Sequence, residues 1–227
     1  MATDNAQTIK SSFFQRYQLF LIFILAFILV EIPFISLPFK WLESYFHELS
    51  HGLAAILTGG RIISIELSAD GSGLCTTQGG SRFVVSFMGY AGASLFGYWL
   101  VRISMLHHLI TKLVVAILWL VIAVTLVFWV KDILTLFITL LLLALVTFKA
   151  FYSGKKYLPL ALQFIGATVL LNSIKSPLYL FDGGALGDGA TLANMTLIPE
   201  MIWVVIWCGI GMITLYLLVK KQTFQQR

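Results

Sequence analysis

The chain is a succession of long apolar runs cut by short polar breaks. A helix that crosses a bilayer needs about 20 mostly apolar residues. On that rule the pattern predicts a first helix over 17–38 and a second over 41–58, with further runs at 82–104, 108–130, 133–152, 159–176 and 199–219. The polar cluster from Arg102 to His108 separates the third run from the fourth, and Lys131-Asp132 separates the fourth from the fifth. The expected fold class is an all-α polytopic membrane protein with about six to seven transmembrane helices, forming a single membrane-embedded domain over 1–227 in which 82–219 holds the later helices.

Two stretches depart from this pattern. Residues 59–81 read GGRIISIELSADGSGLCTTQGGS, a β-branched run, the turn Asp70-Gly71-Ser72-Gly73, and a second polar run. This predicts a β-hairpin over 61–78, directly after the second helix. Open sheet edges do not face lipid, so the hairpin is expected at the membrane surface or beside a wet cavity. The second stretch, 177–199, is Gly-rich, carries Asp182 and Asp188, and ends at Pro199. It reads equally as a plain loop or as a partly buried segment lining a site.

Composition narrows the class. The 227 residues are 59% hydrophobic and 11% charged, whereas a soluble domain carries about 25% charged residues. The net charge of +5 does not point to nucleic acid. Basic residues such as Lys10, Arg16, Arg102, Lys131, Lys220 and Lys221 lie at the ends of apolar runs, where they anchor helices at headgroups. Both chain ends are basic, a pattern that seven spans do not reconcile with one cytoplasmic face, so charge leaves the orientation open. The first run follows Lys10 and Arg16 without a small-residue cleavage site and reads as a retained helix. Cys75 and Cys208 offer neither a disulfide framework nor a metal motif. The expected location is an integral, multi-pass position in a membrane, with the lipid bilayer as a partner.

Against this apolar background one segment carries chemistry: His47-Glu48-Leu49-Ser50-His51. Histidines four apart project from one helical face and can reach one metal ion. The pattern implies zinc, which lowers the pKa of a water and polarises a carbonyl, with Glu48 as the catalytic proton acceptor and donor. The chain has only four histidines and ten acidic residues, and ionisable groups in membrane segments default to function. A catalytic zinc usually takes a third protein ligand. His107 and His108 are adjacent and cannot share a helical face, so they read as interfacial residues. Asp182 and Asp188 each precede glycine; position alone leaves them between ligand, N-cap and turn residue.

Several further residues have two readings. Gly89, Ala93 and Gly97 recur every four residues, a stripe that suits close helix packing and could set the width of the site. Glu31 is either a proton-handling group or a helix-end residue beside Pro33. Asn172 either holds a substrate strand or bonds a neighbouring helix. A substrate helix must unwind to be cut, and the strand Ile62–Leu67 offers replacement backbone partners by strand addition, with Ile63 and Ile65 as substrate-binding positions.

Phe46-His47-Glu48-Leu49-Ser50-His51-Gly52-Leu53-Ala54-Ala55, followed by Thr58-Gly59-Gly60-Arg61, resembles the M50B-like peptidases, relatives of the site-2 intramembrane zinc proteases. The likeness continues through Asp70-Gly71-Ser72-Gly73, Gly89-Tyr90-Ala91-Gly92, and Gly187-Asp188-Gly189-Ala190-Thr191-Leu192-Ala193 with Thr196 and Pro199. The resemblance implies an intramembrane zinc metalloendopeptidase of a bacterial inner (plasma) membrane, with a transmembrane protein substrate as partner. It also implies that Asp188 is the third metal ligand, with Asp182 in reserve. Two other classes remain beside it: a metal-binding transporter or sensor, marked by zinc flux, and a pseudoprotease scaffold, marked by partner trapping without product.

Overall fold

Two prolines decide where the first helix stops and the second begins. In the computed structural model, the backbone is described for residues 2–152, 157–182 and 186–225, and side chains for 17–147, 157–181 and 186–220. Helix α1 runs Ala2–Glu31 and ends before Pro33; α2 runs Leu37–Leu57 with Pro38 in its first turn. Proline lacks an N–H and fixes φ, so it breaks a helix interior yet suits a helix start. Between them Phe34 adopts a left-handed φ of 64° and is almost fully exposed. The first helix therefore starts earlier than the apolar pattern indicates and stops seven residues short of 38, and the second begins at Leu37 rather than 41.

The hairpin follows at once, β1 (Arg61–Leu67) pairing antiparallel with β2 (Gly73–Gln78) in a two-stranded sheet. The remaining α-helices are α3 (Arg82–Ser104), α4 (His108–Phe128), α5 (Ile133–Tyr152), α6 (Tyr157–Lys175), α7 (Asp188–Thr196) and α8 (Glu200–Gln225). A 3-10 helix over Ser176–Asp182 extends α6. Ser81 caps α3, His107 caps α4, and Asp132 accepts the Thr135 N–H at the start of α5. Among the described residues four helices are long and apolar enough to cross a membrane: α3, α4, α6 with its extension, and α8. The described apolar parts of α1 and α5 are shorter. The molecule is thus mostly helical with a small sheet, and the described residues of the 177–199 stretch include the end of the 3-10 helix and all of α7.

Helix α3 is central, packed against α2, α6 and α8. Its small residues set the distances. A Cβ on Gly97 would lie 2.7 Å from the Leu170 nitrogen, and one on Gly166 would lie 2.8 Å from the Val101 nitrogen. At this crossing α3 and α6 therefore meet backbone to backbone, the geometry that small-residue stripes permit in a membrane. Tyr45, Phe46 and Leu49 of α2 join Leu100, Val115, Ile138, Leu142 and Leu162 in the main core. Large apolar side chains on the outside, such as Phe20, Phe27, Leu113, Phe137 and Val205, stay exposed, as a lipid-facing periphery requires.

The hairpin's outer β1 edge is closed. Ile65 donates its N–H to the Trp129 carbonyl at 2.9 Å, and Leu67 donates to Thr135 Oγ1 at 2.7 Å. Ile65 is fully buried, and neither it nor Ile63, which sits at the register shift between Ile62 and Ser64, borders the cavity described below. The β1 edge expected to be open is thus met at Ile65 and Leu67 by the α4–α5 junction.

Candidate metal centre

The helical period of α2 lines up Glu43, His47 and His51 along one face, and Glu48 flanks it. Opposite this face, Gly187 takes a φ of 91° so that the chain can turn into α7 with Asp188 as its first residue. Gly187, not Asp188, is the N-cap residue, and the Asp188 carboxylate reaches across to α2. Asp188 Oδ2 lies 3.1 Å from His47 Nε2 and 3.1 Å from His51 Nε2, and the two imidazole nitrogens are 2.9 Å apart. Two histidines and an aspartate thus converge on one point, with candidate ligand atoms all within 4.8 Å of one another.

Whether these residues suit a metal ion turns on the groups behind them. His51 Nδ1 lies 2.7 Å from the Val85 carbonyl. A carbonyl only accepts, so this nitrogen carries the proton and Nε2 presents a lone pair to the shared point, the usual outer support of a ligating histidine. Gly89 supplies the room. A Cβ there would sit 2.5 Å from His51 Nε2 and 2.6 Å from His47 Nε2, so any larger residue on α3 would push the rings away. The Tyr90 ring stands edge-on to His47 with centroids 4.4 Å apart. The donor set, its outer shell and its glycine cradle all fit a zinc ion.

Helix α7 is only nine residues long and needs external support. Its Leu192 is fully buried against Trp203 and Trp207 of α8, and Trp207 Nε1 donates to the Phe87 carbonyl of α3 at 3.0 Å. Behind Asp188, a Cβ on Gly189 would meet Glu200 Oε1 at 2.5 Å. The aspartate is thus held by a bracket of α3 and α8 side chains.

Glu48 is 4% exposed and packs against the hairpin. The Cys75 backbone N–H points at its carboxylate, and a Cβ on Gly73 would lie 2.6 Å from Glu48 Oε1. The hairpin turn is pinned over α2 by Trp41 Nε1 donating to the Ser68 carbonyl at 2.9 Å and Ser44 Oγ donating to the Gly71 carbonyl. Within the turn, the Ser72 N–H and hydroxyl both donate to Asp70 and hold its carboxyl below the usual carboxylate range. Burial, with the Glu48 charge adding to it, pushes the Cys75 thiol up to about 12, so this cysteine stays a protonated packing group.

Beside Glu48 opens a cavity of about 510 Å3, bordered by α2, the hairpin turn, Tyr90, Asn172 and the start of the 3-10 helix. Asn172 is therefore placed on the cavity wall. The Asp182 side chain lies outside the described residues. Glu31 is paired with Lys175 at the end of α1, and His107 caps α4 with its ring against His108. Sequence reasoning missed Glu43, Tyr90, the Val85 carbonyl and the tryptophan bracket. Only Glu43 left a legible signal, an acid one helical turn before His47.

Two histidines and an aspartate converging next to a buried glutamate, among helices long and apolar enough to cross a membrane, define a helical membrane protein with a candidate metal centre. The particular family follows from the whole sequence: Peptidase M50B-like matches residues 20–218, and the chain belongs to that family. No curated protein and no solved structure matches the chain.

Proposed function

We propose that this chain is a zinc metalloendopeptidase of a bacterial inner membrane that cuts membrane-protein substrates within or beside the bilayer. The observation that carries the reading is the meeting of His47, His51 and Asp188 next to buried Glu48 at the wall of a cavity. Zinc, when bound, polarises the scissile carbonyl and makes water acidic enough to attack at neutral pH. His47 and His51 hold the ion through Nε2, and Asp188 supplies the third ligand. Glu48 takes the proton of the attacking water and passes it to the leaving amine nitrogen. Its burial keeps bulk water from competing for that proton.

Substrate backbone is held along the cavity. Because the outer edge of β1 is closed, strand addition belongs to β2, whose first residue Gly73 borders the cavity next to Glu48. Asn172 faces the same space. Glu48→Gln is expected to retain metal and lose cleavage of a single-span reporter, while His47→Ala loses both. Normal cleavage by purified Glu48→Gln protein overturns the reading.

A further inference from the structure

Peptide cleavage moves negative charge onto the oxygen of the scissile carbonyl, and a fixed hydrogen-bond donor at that oxygen lowers the barrier. Several side chains that border the cavity are donors, yet most are engaged elsewhere. Ser44 donates to the Gly71 carbonyl, Ser72 to Asp70 and Ser176 to Glu43. Lys175 is paired with Glu31. The Asn172 amide nitrogen is closed off from the open space. Lys40 lies over the Tyr179 ring; being seven residues before His47 on α2, it starts about 10 Å away along the helix axis.

Tyr90 remains. It follows Gly89, the residue that makes room for the two imidazole Nε2 atoms. Its ring packs against His47 and against Trp207, with centroids 4.4 Å and 4.7 Å away, and borders the cavity. The hydroxyl makes no hydrogen bond with the described residues, and unlike the Asn172 amide nitrogen it is not sealed from the open space. Of the carboxylates around the phenol, that of Asp188 acts on it most strongly, ahead of Glu43 and Glu48. A phenol oxygen projects only a ring's width beyond its ring, so this one stays close to the cluster of His47 and Asp188.

Packing alone does not call for the oxygen. A phenylalanine would make the same contacts with His47 and Trp207, whereas a tyrosine hydroxyl away from bulk water needs a partner. Phenols keep their proton at neutral pH, so the group the oxygen would meet is an acceptor. We propose that Tyr90 is a further catalytic residue, whose phenol O–H donates to the scissile carbonyl oxygen as charge gathers there. This rests on the peptidase reading. As the water oxygen bonds to the carbonyl carbon, the C=O π pair moves onto the carbonyl oxygen and Glu48 takes the water proton. Tyr90 shares its own proton with that oxygen without giving it up. When the pair returns, the C–N bond breaks, Glu48 passes its proton to the leaving nitrogen, and Tyr90 ends unchanged.

A donor needed only while charge builds acts on kcat rather than on substrate binding. Tyr90→Phe keeps the ring and removes one oxygen. In lipid nanodiscs it is expected to hold as much zinc as the wild type and to cleave a single-span reporter peptide with kcat about 100-fold lower at nearly the same KM. Binding supplies a second readout that needs no turnover. A phosphinic analogue of the reporter, whose tetrahedral P–O oxygens carry the charge of the reacting centre, is expected to bind Tyr90→Phe about 100-fold more weakly than wild type. The unmodified peptide is expected to bind Glu48→Gln and Glu48→Gln/Tyr90→Phe proteins equally. Lost zinc in Tyr90→Phe would make the tyrosine a support of the metal site and overturn the assignment. Equal kcat, a loss confined to KM, or equal binding of the analogue would overturn it as well. Absence of cleavage by the wild type is a separate result, which overturns the peptidase reading and this role with it.

Discussion

Gly89 fixes how close α3 comes to the imidazoles, because a methyl group at that position would occupy the space where the two Nε2 atoms meet. Gly89→Ala is expected to leave a folded, membrane-inserted protein that binds less than half the zinc of the wild type. Equal zinc in both would show that the rings have slack. At this scale the sequence was partly readable. The four-residue spacing of His47 and His51 is a direct consequence of helix geometry, and scarce charge made the motif stand out. Asp188 came from family resemblance, because nothing in local spacing connects it to a helix 137 positions away from His51. The roles of the Val85 carbonyl and the Tyr90 ring at the site were not readable from either residue alone. One acts through backbone and the other looks like any aromatic on an apolar helix.

Among the elements, α7 carries the third ligand but has too few residues to hold itself in place. Its position depends on Trp203 and Trp207 behind it. Trp207→Ala removes a fully buried indole and its hydrogen bond to Phe87, a truncation that costs about 3–5 kcal/mol in typical cores. Here the expected outcome is zinc affinity lowered by about 10-fold or more, since outer supports of metal ligands carry effects of that size. Unchanged affinity by competition with a chelator would mean that α7 is held by other contacts. Helix positions from α3 to α6 followed from apolar length. The proline-marked junction of α1 and α2 was displaced because an apolar run continues through Ile32, Phe34 and Ile35 although the backbone turns there. The hairpin was legible from its turn residues, but its covered edge was not. That edge depends on Trp129 and Thr135, which lie more than sixty residues away in sequence.

The whole molecule combines an apolar exterior with a cluster of buried ionisable groups beside a cavity. Four long apolar helices among the described residues, together with family membership, make it an integral membrane protein. Alkaline carbonate washing is accordingly expected to leave it in the membrane pellet, and release into the supernatant would contradict this. The interior arrangement has a cost, since Glu43, Glu48 and Asp188 are drawn together in a setting where isolated charges are unfavourable. A divalent cation offsets that cost and gives the convergence a physical reason. The most direct measurement is therefore metal content per purified chain by mass spectrometry, for wild type, Asp188→Ala and Asp182→Ala. One zinc per chain is expected in the wild type and in Asp182→Ala, with a large loss in Asp188→Ala. A wild type without zinc, or an Asp188→Ala protein that keeps a full equivalent, would contradict the metal centre.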